Sequence, residues 1–391
     1  MKPRVLIFID WFAPGYKAGG PTTSNVNIVD HLNQWFDFYI ITSDTDYHAQ
    51  HPYSDIIPDR WTDRGNCKVW YCSRQNTSLA ALKRAAVEAD CNVWYINGIY
   101  SRFFSMYPLL LRRILHPGKV IVSARGMLSP QAFTIKPMMK KIFISLMKIA
   151  GNYRGIVFHG TNEEECYNIR SKISPRVYCQ AIENLPRKLN ILFSPPSKQP
   201  NAVRLVSFAR ISPEKNTLYA LQALRYCKAQ VTYDIYGQIN SESYWKDCQD
   251  MMAQLPANVQ VNYRGSVEPS LMTELYRTYD ALYLPTIGEN FGHAILECFM
   301  NSRPAIISDT TPWRDLTAKG IGADLSLASQ RSFAEIIDKM ADMSSGAFGK
   351  LCETSYRFAT EFCNSNENIG QYKRLFYCEK GRSGIRRSGI I

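Results

Sequence analysis

"ALYLPTIGENFGHAILECFMNSRPAIIS", residues 281–308, reads as strand, loop, helix and strand in immediate succession. "ALYLP" (281–285) and "PAIIS" (304–308) are apolar runs of strand length, and 292–302 between them carries its apolar residues at helical spacing. Such a unit belongs to a parallel sheet covered on both faces. Glu289 falls in the loop after the first strand, and Glu297 in the second turn of the helix. Gly292 permits close backbone approach near the helix start. The free N–H groups near 291–293, with the positive end of the helix dipole behind them, make an anion seat.

The same rhythm runs outward in both directions. On the N-terminal side, strands are expected at 4–9, 38–42, 67–71, 93–96, 119–123 and 155–159. Amphipathic segments lie between them near 22–35, 78–89, 101–115, 136–150 and 162–172. "PRKLNILFSPPSKQPNA" (186–202) has four prolines and no helical period, and reads as an interdomain linker. The alternation restarts with strands at 203–209, 231–237 and 259–265, and helices at 216–227, 241–254, 269–278 and 330–342. Residues 347–378 look wholly helical, and the basic stretch 380–391 reads as a frayed tail. The fold expected is α/β, two facing Rossmann-like domains at 1–190 and 191–365, with a helical C-terminus at 366–391. No repeat or low-complexity tract interrupts this.

Parallel open sheets bind ligands beyond the carboxyl ends of their strands, and a second constellation lies in such a place. In "VSFARISPEKNT" (206–217), Arg210 leaves a strand end and Lys215 follows near a helix start. Two cations there can hold a diphosphate and neutralise the charge that grows as it departs. Glu289 and Glu297 can each accept a pair of hydroxyl hydrogens. An anion seat between two such acids suits a molecule with a sugar at each end of a phosphate, and a sugar nucleotide is one. A solvated loop acid and an ordinary Ser-Pro-Glu helix start would satisfy either pattern taken alone.

Taken together, "FARISPEKN" and "PTIGENFGHAILECFMNSRPAIIS" resemble the group 1 retaining glycosyltransferases of the two-domain GT-B fold, whose signature is a glutamate, seven residues, then a glutamate. "FIDWFAPGYKAGGPTTSNVNIVDHL" (8–32) is similar to that family's opening strand, glycine-rich loop and helix. "VSARGMLSPQAF" and "FHGTNEEECYNIR" resemble segments of members that build surface polysaccharides. The resemblance, of the family 4 type, implies transfer of a sugar from a nucleoside-diphosphate sugar to a hydroxyl of a glycan or lipid-linked acceptor. It implies capsular, exopolysaccharide or lipopolysaccharide biosynthesis as the setting. Arg210, Lys215 and Glu289 would be catalytic, the first two on the donor diphosphate and the third on the donor sugar. Backbone N–H groups of Asn290, Phe291 and Gly292 would hold hydroxyls or phosphate, and Glu297 the ribose. Gly19 and Gly20 would let the backbone approach the phosphate from the first domain. Many members keep a histidine in the loop where this chain reads "SARGM", so Arg125 and His159 are the acceptor-side candidates. His293, at the helix start, has no assigned role.

Composition narrows the field. A net charge of +12 and a pI near 9.1 favour anionic partners. No helix-turn-helix, finger or RNA-binding signature is present, so nucleic acid is not expected. Eleven scattered cysteines without C-x-x-C spacing read as reduced thiols, pointing to a cytoplasmic protein. The short apolar run at the N-terminus fits a first strand better than a signal peptide. Asp44 and Asp46 form an Asp-x-Asp, read as a polar turn. No metal is expected to be required, because Arg210, Lys215 and a helix N-terminus already supply positive charge. Residues 136–154 carry five basic groups, no acid and an apolar stripe. They read as a helix on the sheet or as a contact with the anionic inner face of the cytoplasmic membrane. Two further readings stay open: a sugar-nucleotide epimerase of the same fold, and a non-catalytic sugar-nucleotide or glycan-binding subunit.

Overall fold

The structure is a computed structural model, and it describes residues 2–134, 136–188, 192–194, 198–365 and 367–377. The basic stretch 380–391 lies outside the described residues.

Eight strands build the first sheet. They are β1 (Arg4–Phe8), β2 (Asp37–Ser43), β3 (Trp61–Asp63), β4 (Lys68–Cys72), β5 (Val93–Asn97), β6 (Lys119–Ser123), β7 (Val157–Gly160) and β8 (Tyr178–Ala181). Their order is β3-β4-β2-β1-β5-β6-β7-β8, parallel except for the β3/β4 edge. Its helices are α1 (Gly20–Leu32), α2 (Leu79–Ala89), α3 (Tyr107–Leu115), α4 (Pro130–Thr134), α5 (Pro137–Ile149) and α6 (Glu163–Lys172). The central strands are buried on both faces, as in "VWYIN" of β5, which explains why they read as continuous apolar runs.

The second sheet has six parallel strands: β9 (Ala202–Phe208), β10 (Gln230–Tyr236), β11 (Val259–Tyr263), β12 (Ala281–Leu284), β13 (Ala305–Ser308) and β14 (Gly322–Leu325). They run in the order β11-β10-β9-β12-β13-β14. The chain continues through α7 (Thr217–Leu224), α8 (Glu242–Met252), α9 (Met272–Thr278), α10 (His293–Met300), α11 (Leu316–Lys319), α12 (Gln330–Ala341), α13 (Ser345–Asn364) and α14 (Glu367–Phe376).

Several local expectations need correction. β3, β8 and β14 escape a reading of apolar runs, because they are edge strands of three or four residues with partly exposed faces. The segment 101–115 begins with a π-helical turn at Arg102–Met106 before α3. The C-terminal helix is broken after Asn364, and its second piece returns to the first domain. There Phe376 packs on Phe36, Phe38 and Tyr95 at ring distances of 5.8, 6.0 and 5.4 Å. The start of the proline-rich connection is pinned to α1. Asn27 donates to the Leu185 carbonyl (2.8 Å), and Lys188 to that of Asp30 (2.7 Å).

Each sheet has a switch point between parallel neighbours from which the chain grows in opposite directions: between β1 and β5 in the first, between β9 and β12 in the second. Loops leaving such neighbouring strands in opposite directions open a crevice.

Candidate functional site

The β9/β12 crevice is closed by two loops laced together. The Ile287 N–H and the Thr286 hydroxyl both donate to the Glu214 carbonyl (3.0 and 2.9 Å), and the Asn216 amide donates to the Pro285 carbonyl (3.0 Å). This lacing brings Lys215, from the loop after β9, into a salt bridge with Glu289, from the loop after β12. Both side chains are largely buried, at 18% and 13% exposure, so the pair is held in a partly dry site rather than on open surface. Arg210 stands at the mouth with only a loose contact to Glu214 at 3.8 Å.

Beside this pair the chain enters α10 through Gly292, whose φ is 79°, the left-handed region that favours glycine. Phe291 turns inward against Trp313 at 5.7 Å and Phe362 at 6.3 Å. Its side chain is therefore core, and what it offers the cleft is backbone. Among the described residues, the N–H groups of Asn290, Phe291, Gly292 and His293 have no protein acceptor, as an anion seat requires. One helical turn on, Glu297 is 9% exposed and, among the described residues, its carboxylate accepts no hydrogen bond. Burial pushes its carboxyl up to about 7, against a smaller downward pull from Arg187.

The first domain meets this surface directly. The α1 start lies against the α10 start: Ser24 Oγ and His293 Nε2 are 2.9 Å apart. The Ser24 hydroxyl hydrogen is engaged by the Gly20 carbonyl (2.9 Å), so Nε2 donates and Nδ1 is left as an acceptor. Burial first, and then the Arg125 charge, hold the His293 imidazole down to about 3, hence neutral. A β-carbon added to Gly19 or Gly20 would meet nothing within 4 Å, so no protein group fills the space before this turn. Gly19 is needed for its φ of 75°.

Arg125 follows β6. It donates to Asn97 Oδ1 (2.8 Å), Asn184 Oδ1 (2.7 Å) and the Tyr95 hydroxyl (2.9 Å). The Tyr95 hydroxyl lies 2.8 Å from His159 Nδ1, and His159 Nε2 lies 3.0 Å from the Ile182 carbonyl. A carbonyl only accepts, so Nε2 carries the hydrogen and Nδ1 takes the Tyr95 proton. His159 is fully buried and held down to about 3, chiefly by burial. Its Nδ1 faces the Tyr95 hydroxyl that Arg125 also contacts. Gly126, with φ 73°, passes so close to the Asn290 side chain that any β-carbon would collide with it. The Asn162 amide also donates to the Asn290 carbonyl (3.3 Å). The structure thus gathers Arg210, Lys215, Glu289, Asn290, Gly292 and Glu297 on one side, and Gly19, Gly20 and Arg125 on the other. His159 lies beneath the second group.

Two carboxylates outside the sequence-level candidates hold the loops. Asp46 accepts from the N–H groups of Tyr16 (3.1 Å) and Lys17 (3.3 Å), tying down the glycine-rich loop. Glu165 accepts from the Gly126 and Thr161 N–H groups at 2.6 and 2.7 Å. The Asp-x-Asp is therefore a loop clamp through its second member. The acids at the α6 start, Glu163–Glu165, have no assigned role at the level of sequence. Among the described residues, no cluster of His, Cys, Asp or Glu is arranged to hold a metal ion, and no helix is long and apolar enough to cross a membrane.

Comparison with known proteins bears on this arrangement. No curated protein matches the chain in sequence. Among solved structures, Anabaena Alr3699/HepE in complex with UDP-glucose superposes with a TM-score of 0.67 and 14% identity, over 95% of this chain and 98% of that one. Sucrose-phosphate synthase from Thermosynechococcus elongatus gives 0.64 and 14%, over 96% and 98%. WaaG, a glycosyltransferase involved in lipopolysaccharide biosynthesis, gives 0.61 and 11%, over 96% and 100%. At these identities the likeness is one of fold. The family model described as "Glycosyl transferases group 1" matches residues 192–354, which hold the Lys215–Glu289 pair, the open amides and Glu297. The chain is a two-domain GT-B fold whose β9/β12 crevice lies wholly within a segment matching the group 1 glycosyltransferases.

Proposed function

We propose that this protein is a retaining glycosyltransferase of the family 4 type that takes a nucleoside-diphosphate sugar as donor. The observation that carries this reading is the laced pair of loops. It sets Lys215 and Glu289 against a row of open amides, with an unsatisfied carboxylate at Glu297 one helical turn away. Arg210, Lys215 and the amides of 290–293 would neutralise the diphosphate as it leaves. Glu289 would orient the donor sugar, and Glu297 would accept the ribose hydroxyls. Gly19 and Gly20 would admit the phosphate from the opposite wall.

The acceptor oxygen would form its bond to the anomeric carbon on the face from which the phosphate oxygen departs. The departing oxygen would take the acceptor's proton, so configuration is retained without an enzyme nucleophile. The domain contacts at Ser24–His293 and Gly126–Asn290 would keep water out during transfer. Incubation with UDP-[14C]glucose and a panel of saccharide acceptors tests this reading. A radiolabelled glycoside with unchanged anomeric configuration is expected. Inverted product, an epimerised sugar nucleotide, or donor binding without product with any acceptor would contradict it.

The acceptor we propose is a glycan or lipid-linked saccharide of surface-polysaccharide assembly. Supporting this, α5 turns Met138, Met139, Ile142, Leu146 and Ile149 outward to solvent. Lys136, Lys141 and Lys148 are exposed beside them. An apolar stripe edged with lysines matches the surface of an anionic bilayer. Sedimentation with phosphatidylglycerol vesicles, but not phosphatidylcholine vesicles, is expected, and Ile142→Asp with Leu146→Asp should abolish it. Equal sedimentation of the double variant would remove the membrane contact from the account.

A further inference from the structure

Glu165, in the first turn of α6, is 4% exposed, and both oxygens of its carboxylate are taken up by neighbouring loops. Oε1 accepts the Gly126 N–H at 2.6 Å, from the turn after β6. Oε2 accepts the Thr161 N–H and hydroxyl, both at 2.7 Å, just past the end of β7. The N–H of Glu165 donates to Asn162 Oδ1 at 2.8 Å, which caps the helix. One side chain thus ties together two loops that leave neighbouring strands of the first sheet. Glu163 and Glu164, beside it, are exposed, as acids that serve only a helix start usually are.

Both tied loops end on one residue of the second domain. Gly126 passes so close to Asn290 that an added β-carbon would stand 2.4 Å from the side-chain amide. The Asn162 amide donates to the Asn290 carbonyl at 3.3 Å. Asn290 itself stands between Glu289 and the open N–H groups of Phe291 and Gly292. Arg125 and Gly126 are both left-handed, at φ 51° and 73°. A residue with a side chain keeps that conformation only where its surroundings fix it. Arg125 is fixed by its three acceptors, and Gly126 by Glu165.

We propose that Glu165 is a positioning residue for transfer. It locks the Arg125–Gly126 turn and the α6 cap into the one arrangement that seats on Asn290, and so sets the spacing of the two walls without touching either substrate. The word transfer rests on the reading above; the setting of the seam does not.

Glu165→Gln tests this. Glutamine fills the same space but has one acceptor oxygen, so either the Gly126 or the Thr161 N–H meets a donor. Transfer from UDP-glucose to saccharide acceptors should fall about tenfold, the usual scale when a buried donor loses its partner. UDP affinity by titration should stay at the native value. Asn290→Ala should absorb most of the effect, so that the double variant is little worse than either single one. Hydrogen exchange of the ligand-free protein gives a readout without turnover: residues 287–293, in the other domain, should exchange faster in Glu165→Gln. If Glu165→Gln does not fold, Asn162→Ser takes its place, because serine keeps the cap but cannot reach Asn290. It should show the same faster exchange and the same intact UDP affinity.

The proposal falls if exchange at 287–293 is native in the folded variant. It also falls if UDP binding and transfer are lost together, or if the losses of Glu165→Gln and Asn290→Ala simply add, since either result marks Glu165 as structural only. Native protein that binds UDP but transfers to no acceptor would sink the transfer reading, and the exchange rates would still decide whether Glu165 sets the seam.

Discussion

The two crevices are built alike and finished differently. Each lies at a switch point, and each joins a group from one side of the reversal to a group from the other: Lys215 to Glu289, Asp10 to Ser101. In the second domain the join is ionic, its loops are laced by backbone hydrogen bonds, and open amides surround it. In the first domain the polar groups are mostly neutral. Arg125 spends its donors on two amides and a phenol, and the walls are aromatic. A diphosphate demands the first finish, because strong charge needs fixed opposite charge. A sugar, which carries no charge, is served by the second. This difference is what supports the proposal of a donor at the ionic wall and an acceptor at the other.

The comparison breaks most easily at the ionic wall. Lys215→Ala and Glu289→Ala should each lower kcat by about 10²–10³-fold, the usual loss when one preorganised charge is removed. The unfolding temperature should fall only modestly, because each truncation leaves one charge of a partly buried pair without its partner but opens no hole in the core. Steady-state rates with labelled donor measure this, and wild-type turnover in both variants would refute the assignment.

Gly126→Ala probes the seam between the walls. Its backbone is left-handed, and the added methyl would collide with Asn290. The strain alone is about 1–2 kcal/mol, and the Asn290 side chain must swing away from the seam to admit the methyl. Turnover should fall about tenfold while UDP affinity, set by the second domain, stays put. An equal loss of both would mean that closure and donor binding are not separable.

Glu297 sharpens the comparison through pH. Its folded pKa, about 7, exceeds that of an unfolded glutamate, 4.5. The stabilising effect of the protonated form is therefore complete below 4.5 and lost as pH rises through 7. At pH 8 the ionised acid costs about 3 kcal/mol in the ligand-free protein. Glu297→Gln should raise the ligand-free unfolding temperature at pH 8 and leave it unchanged at pH 4. Native UDP affinity should fall several-fold from pH 8 to pH 6, and the variant should be weaker at pH 8 and flat across that range. Calorimetry at the three pH values reads all of this, and a pH-independent native protein would exclude the ribose role.

The smallest effect belongs to Arg125→Lys. A single ammonium cannot reach Asn97, Asn184 and Tyr95 together, and an orphaned buried acceptor costs about 1–3 kcal/mol. A modest drop in unfolding temperature and in turnover is expected, with UDP binding intact. Unchanged stability would show that water replaces the guanidinium.

The same contrast explains what could be read from residues alone. The donor wall is local: Arg210 to Lys215 and Glu289 to Glu297 lie on two short stretches, each a strand, a loop and a helix start. Nucleotide chemistry recurs, so its spacing does too. The first-domain wall is scattered over positions 10, 97, 101, 125, 159 and 184, brought together by the β1-β5-β6-β7 order of the sheet. Asp10 was passed over inside a quoted stretch because one acid after a strand has no periodic signature. Asp46 reads as part of a polar turn and Glu165 carries no signal in sequence, since their partners are backbone N–H groups of distant loops. The parallel architecture was legible because buried strands are apolar throughout, while the short edge strands β3, β8 and β14 were not.

The central claim is that the laced loops grip a nucleoside diphosphate. Isothermal titration of UDP, GDP and ADP into the native protein and Lys215→Ala tests it most directly. One nucleotide should bind the native protein, and Lys215→Ala should bind it at least tenfold more weakly. Native protein indifferent to all three, or a Lys215→Ala variant that binds as tightly as native, would contradict the claim.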